Sequence, residues 1–495
     1  MDELELEERF ELMEQAVDTC FLLVCAIFVF LMQFGFAALE VGSIRPKNTK
    51  AVLLKNTTDA AIGALVWWLV GHGVAFGEGS DFIGKNQFAF SPELDEERIG
   101  EVALEYARWM LQWAFAATST TIVSGAIAER VALHAYLIYG VIITSLIYPV
   151  VAHWVWAPSG WASSFRADDE DLLVGCGVAD FSGSGVVHLT GGLMALVAAI
   201  CVHHRGGRFD SQGKPRRLER QSPALNVLGT LILWAGWFFF NASGVASFSR
   251  QPDDAAKSML NTAVCPSAAV VVTMLIHWMY HRSFDPFMAT NGMLGGLVAI
   301  TASSPLVQAE GAFVIGVVSG ALVFYGSKLL LKFKIDDVVD ASVVHGLCGL
   351  WGMVATGLFT TKLGYARAYA EVPTYNQQGL SCTFSCRWNG TLAAAFGVGA
   401  RRGEACWMRW LSYDRADVFF LSSFAPESGA QSDATQTRLY IGLDTFRTSA
   451  EASTRHVRSD FQFVWLQSVV FPVTCGSAVL GSNSHPRQTS DTYDE

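Results

Sequence analysis

Ten mostly apolar stretches, most about twenty residues or longer, follow one another in the first 361 positions. They lie near 18–43, 57–77, 104–127, 131–157, 180–203, 224–247, 262–281, 288–304, 309–331 and 341–361. About twenty such residues are what one helix needs to cross the hydrocarbon core of a bilayer. No water is available there for backbone amides, so each run is expected to close its own hydrogen bonds as a helix. Only 16% of residues are charged, where a soluble domain carries about 25%. The mean hydropathy is +0.32. The expected class is an all-α polytopic membrane protein.

The loops between the runs sort by sign. Arg45, Lys47, Lys50 and Lys55 follow the first run, and Arg130 follows the third. Arg205, Arg208, Lys214, Arg216, Arg217 and Arg220 follow the fifth, Arg282 the seventh, and Lys328, Lys332 and Lys334 the ninth. The alternate loops 78–102 and 158–179 are acidic, and 248–261 is nearly balanced. Basic loops stay in the cytoplasm, which puts residues 1–17 outside. That start, MDELELEERFELMEQ, is acidic, unlike the basic opening of a cleavable signal, so the first run is expected to stay in the membrane.

Several function classes drop out. A net charge of -11 argues against nucleic acid as a partner. The ten cysteines lie mostly in apolar runs, where a thiol packs as a small hydrophobe, and none has zinc spacing. Cys382 and Cys386 would form a bridge only in an extracellular segment. With no phosphate loop and no GxSxG elbow, neither an ATP-driven motor nor a hydrolytic enzyme is expected, and no cofactor.

Two segments repeat each other. SGVVHLTGGL (184–193) and ASVVHGLCGL (341–350) agree at five of ten positions. Each closes a block of five runs. Five is odd, so the second block enters the membrane upside down, as an inverted repeat with its site expected near the midplane. His188 and His345 are the deepest ionisable groups singled out, and such groups face a cavity or a partner because bare burial is costly. A histidine satisfied by a backbone carbonyl is the structural alternative. Two rings at repeat-related positions can instead share one proton, each offering a donor or an acceptor to a small neutral molecule.

Other groups keep two readings. Asp180 and Asp337 each stand eight residues before a histidine; a helix N-terminal cap is the structural role. Asp180 could also tilt a nearby site toward cations without touching the ligand. His153, Trp154, Trp156 and Trp161 cluster at an outer end, either as an interfacial belt or as a cation–π seat. On spacing alone, Phe115 and Trp237 to Phe240 are packing residues.

The sequence resembles the ammonium transporter family (Amt/Mep/Rh), on its Amt side. The likeness runs through FVFLMQFGFAALEVGSIRPKNTKAVLLKNTTD (28–59), AATSTTIVSGAIAERV (116–131), YPVVAHWVWAPSGW (148–161), DFSGSGVVHLTGG (180–192), GWFFFNASG (236–244) and VVHGLCGLWGMVATGLF (343–359). It implies two inverted five-helix repeats plus an eleventh helix, a homotrimer, and one pore per subunit. By family position, Trp156 and Phe115 would seat the ammonium ion. Phe115 and Phe240 would form a stacked gate, Trp237 would line the pore near it, and His188 and His345 would line the pore below. Asp180 would support recruitment. Ammonium would lose its proton near the gate and ammonia would pass the histidines, with or without the separated proton, which would travel by its own route. The plasma membrane is the default location.

Two departures matter. The family serine after the FN motif aligns with Gly244, and Ser243 stands one position earlier. The resemblance also stops near residue 362, and the polar stretch 362–460 has no clean span. An eleventh span is possible near 463–481, and Asn389 opens a glycosylation sequon. The competing functions are an ammonium sensor of the same fold with little flux, and a membrane electron carrier with haem ligated by His188 and His345.

Overall fold

A computed structural model describes residues 3–93, 98–166, 173 and 177–369. Among these residues the chain is helical, with no strand beyond isolated two-residue bridges. Ten long helices follow in order: α1 Glu3–Ser43, α2 Pro46–Phe76, α3 Ile99–Ala126, α4 Leu133–Trp156, α5 Ser184–Cys201, α6 Pro223–Ala242, α7 Pro252–His281, α8 Pro286–Ile300, α9 Ala309–Lys332 and α10 Ser342–Phe359. A short α11, Lys362–Ala368, follows. Eight of the ten are long and apolar enough to cross a bilayer. The other two are α3, which opens with charged turns, and α8, at 15 residues.

Local chemistry sets where helices begin. Ser222 caps α6 by accepting from the Leu225 amide at 3.2 Å, and Asp285 caps α8 by accepting from Phe287 at 2.9 Å. Pro223 and Pro286 then occupy the first turn, where a missing N–H costs nothing. Some limits differ from the apolar runs. The eighth run extends to 304, but α8 stops at Ile300. A buried turn follows, held by the Asn261 side-chain amide donating to the carbonyls of Ser304 and Val307. Lys55 reads by sign as part of a cytoplasmic loop. It lies inside α2 and is buried, because α2 starts at Pro46 rather than near 57.

The two blocks pack alike. In the first, α1 meets α3, α3 meets α5, and α2 meets α4; in the second, α6 meets α8, α8 meets α10, and α7 meets α9. Between the blocks α1 lies along α6 and α5 along α10. The glycines permit the last contact. A Cβ on Gly192 would stand 2.0 Å from the Gly346 nitrogen; one on Gly349, the repeat mate of Gly192, would stand 2.9 Å from the Leu189 nitrogen. The outer surface carries large apolar side chains such as Leu23, Ile27 and Phe34 on α1 and Val271 and Leu275 on α7. With hydrocarbon as the solvent, exposing them costs nothing. The chain is a multi-pass membrane protein.

Candidate functional site

Both VVH segments open their helices as wide π-helical turns, Ser184–Leu189 and Ser342–Leu347. Such turns are rare and concentrate at functional sites, because the widened spiral re-aims the side chains it carries. The two helix starts match in detail. Asp180 accepts from the amides of Gly183, Gly185 and Val186 at 3.0, 2.9 and 2.8 Å. Asp337, its repeat mate, accepts from the Ser342 amide and hydroxyl, both at 2.7 Å. Gly183 and Asp340, also mates, both take positive φ, 106° and 57°. An aspartate thus caps each helix across a left-handed turn, and two such starts aim two histidines at one point.

They meet. His345 Nδ1 and His188 Nδ1 are 3.2 Å apart, with ring centroids 5.3 Å apart at 27°. Between two imidazole nitrogens only one proton fits. One ring therefore donates through Nδ1 and keeps Nε2 as an acceptor, while the other accepts at Nδ1 and carries its proton on Nε2. The His188 Nε2 is buried and has no hydrogen-bond partner among the described residues.

Aromatic rings continue the line outward. His188 stacks on Trp237 at 4.9 Å and on Phe240 at 5.4 Å. Phe240 lies 4.3 Å from Phe115, and Phe115 lies 5.9 Å from Trp156. Trp237 is fixed by its indole N–H donating to Thr301 at 2.9 Å, and Trp156 by donating to the Asp180 carbonyl at 2.8 Å. Phe115, Trp237, Phe240, His188 and His345 are all buried, and Trp156 is half-buried.

Above Phe115 a cavity of about 530 Å³ opens, lined by Phe115, Trp156, Phe181, Ser243, Gly244 and Tyr369 among others. Phe181 and Tyr369 were not foreseen, since nothing in their spacing marks them. Ser243 reaches this cavity, though its hydroxyl donates to the Phe240 carbonyl of its own helix at 2.8 Å. A side chain at Gly244 would meet Phe181 and Ser182 at 2.6 Å. Asp180 is absent from the lining; its oxygens are spent on amides, so only its field reaches the cavity. The outer cluster also divides. His153 bridges the carbonyls of Ala75 and Ser80 at 2.8 Å each, and Trp154 donates to the Phe82 carbonyl. Both pin the end of α2 and the loop after it, leaving Trp156 as the member of that group in contact with the aromatic file.

The Ammonium Transporter Family model matches residues 20–399. The chain belongs to the ammonium transporter family. Ammonium transporter 1 member 3 of Solanum lycopersicum is 38% identical over 363 residues, 72% of this chain and 77% of that protein. Ammonium transporter Amt2 of Archaeoglobus fulgidus is 40% identical over 350 residues, 70% of this chain and 72% of that one. Among solved structures, one titled Sensor Amt Protein superposes with a TM-score of 0.65 at 29% identity, covering 78% of this chain and 92% of its own. Mep2 of Candida albicans shares the fold, with a TM-score of 0.63 at 24% identity over 77% of this chain and 80% of that one. The expected eleventh span near 463–481, the Asn389 sequon and the Cys382–Cys386 pair lie outside the described residues.

Proposed function

We propose that this ammonium transporter takes the ion as a cation at Trp156 and Phe115, strips one proton near the Phe115–Phe240 gate, and conducts ammonia past His188 and His345. The carrying observation is the unbroken file of rings from Trp156 to His345, with centroid steps of 5.9, 4.3, 5.4 and 5.3 Å.

The physics divides the path. At the wet end, an aromatic face attracts a small cation by about 0.5–2 kcal/mol. Inside the file the rings are dry, and an ion there loses its water at a cost of several kcal/mol. Ammonia has no such charge. The shared proton of the histidine pair leaves one Nε2 that accepts and one that donates, which suits a molecule that is both donor and acceptor. The Asp180 cap places negative charge behind Trp156 without obstructing the seat. Ser243 stands in the cavity as a neutral acceptor in place of the serine replaced by Gly244. The working unit is a homotrimer with one pore per subunit, in the plasma membrane.

The test is methylammonium uptake into liposomes holding the purified protein, with ammonium as competitor. Native protein is expected to give saturable uptake, and Trp156→Leu to raise KM by about three- to tenfold, the loss of one cation–π contact. An unchanged KM sinks the seat. A sensing role is the second reading, favoured by the likeness to the structure titled Sensor Amt Protein and by Gly244. Specific ammonium binding with no uptake would select it.

A further inference from the structure

Glu40, Lys55 and Asp59 are buried together between α1, α2, α3 and α4, away from the aromatic file. Lys55 Nζ lies 3.4 Å from Glu40 Oε2, donates to the Ser124 carbonyl at 2.8 Å, and sits over the Tyr136 ring at 4.9 Å. The Ser124 hydroxyl donates to Glu40 Oε1. The Thr121 hydroxyl lies 3.1 Å from Asp59 Oδ2 and 2.9 Å from Gln33 Oε1. Tyr136 and Tyr139 face Asp59 from α4. Two carboxylates thus face one ammonium. One of them has no counter-charge, so it is the one free to take up and release a proton.

Packing does not require these charges. The second repeat builds the same contacts with none: 223–242, 258–276, 286–300 and 311–327 contain no Asp, Glu, Lys, Arg or His. There the equivalent α7–α9 contact is closed by Gly316 and Gly320 against the carbonyls of Cys265 and Ala269. Such mid-helix charges belong to the first repeat alone; the buried Asp254 of the second stands in the first turn of α7, paired with Arg367 at 3.4 Å.

Polar groups also lead from the gate to this cluster. Ser119, one turn below Phe115 on α3, is fully buried and its hydroxyl has no partner among the described residues; the same holds for Tyr148 on α4. Tyr148, Thr144, Gly140 and Tyr136 follow at one-turn spacing on α4. Thr144 pairs with Thr120 at 3.1 Å, and Gly140 backs onto Asp59. From Tyr148 to Tyr136 this stripe covers roughly 18 Å of helix. The Gln33 amide nitrogen on α1 and the Asn56 amide on α2 are also at least nine-tenths buried and have no hydrogen-bond partner among the described residues. Below Glu40, α1 and α3 end at the cytoplasmic pair Arg45–Glu129.

We propose that Glu40, Lys55 and Asp59 form a proton-binding site, and that with the hydroxyls of α3 and α4 it carries the proton shed by ammonium to the cytoplasm. This rests on the pore reading above. The N–H bond of ammonium breaks, its electron pair stays on nitrogen, and the proton passes by hydroxyls to a carboxylate oxygen. The carboxylate releases it inside, where ammonia recombines with it. Lys55 stays charged and keeps the second carboxylate ionised. Net charge therefore crosses with each ammonia.

The test pairs two readouts in liposomes given an ammonium jump: current on a solid-supported membrane, and lumen pH against protein-free vesicles. Native protein is expected to give current with little alkalinisation. Asp59→Asn and Glu40→Gln are expected to lose at least tenfold in current while the lumen alkalinises, because ammonia still enters without its proton. Asp59→Glu, which keeps a carboxyl, is expected to retain the current. Full current in both amide variants overturns the proposal. So does loss of both signals in folded Asp59→Asn with Asp59→Glu equally affected, which would make the cluster structural. Native protein that alkalinises the lumen without current overturns the proton path and leaves the pore; native protein with neither signal overturns the pore reading itself.

Discussion

His188 and His345 share a single proton across 3.2 Å, so each holds the other's tautomer. Removing either ring leaves a buried nitrogen unpaired, at about 1–3 kcal/mol. His345→Ala is expected to cut methylammonium uptake by roughly 10- to 100-fold, read at matched protein per liposome. Gly244 invites the opposite experiment. Restoring serine there would place its Cβ 2.6 Å from Phe181 and Ser182. Gly244→Ser is expected to lower the melting temperature in detergent, at an overpacking cost of about 1–3 kcal/mol, without lowering KM. The histidines and Phe240 were visible in the letters because a repeat and a motif mark them. Phe181, Tyr369 and the Glu40–Lys55–Asp59 cluster were not. The first two reach the cavity only through tertiary packing, and Lys55 read as a loop charge because its sign matched its neighbours.

Elements are held together by close backbone approach and by one ionic knot. Gly192 and Gly346 let α5 and α10 touch, and a methyl at Gly192 would lie 2.0 Å from a backbone nitrogen. Gly192→Ala is expected to abolish folded protein, while Gly206→Ala, with nothing within 4 Å, is expected to be silent; gel filtration in detergent compares them. On the side of the basic loops, Asp336 accepts from the Arg205 side chain at 2.8 and 2.9 Å and from Arg208 at 3.1 Å; Arg205 also pairs with Glu129 at 2.7 Å. The knot ties the loops after α1, α3, α5 and α9. Burial pushes the Asp336 carboxyl up, but Arg205 outweighs it and holds it at about 2, below its ordinary 3.8. A lowered carboxyl contributes stability above its unfolded value and loses it as pH falls through the folded one. That contribution is expected to fade between pH 3.8 and about 2. Asp336→Asn is expected to cost about 3–5 kcal/mol, the penalty of stranding a buried partner, and to flatten that acid limb in thermal melts. The sequence placed these basic residues in the cytoplasm by sign. It could not show which acid they surround, because the partners lie 76 to 131 residues apart.

At the scale of the whole molecule, one backbone plan is used twice and loaded differently. Both repeats supply a capped π-turn and a histidine, so the proposed pore is symmetric where ammonia would pass. Only the first carries buried charge in mid-helix, so the molecule is asymmetric where a proton would move. Helix number and the inverted repeat were legible because apolar run length and loop sign are set by the bilayer. Helix ends were less so: the bilayer does not specify where the backbone stops spiralling, as the turn after Ile300 illustrates. The most direct test of the account is labelled methylammonium uptake in cells that lack their own ammonium transporters, comparing the native chain with His188→Ala at equal surface expression. Saturable uptake by the native chain, reduced at least about tenfold in the variant, is the predicted result. Absent uptake by the native chain, or undiminished uptake by His188→Ala, would contradict it.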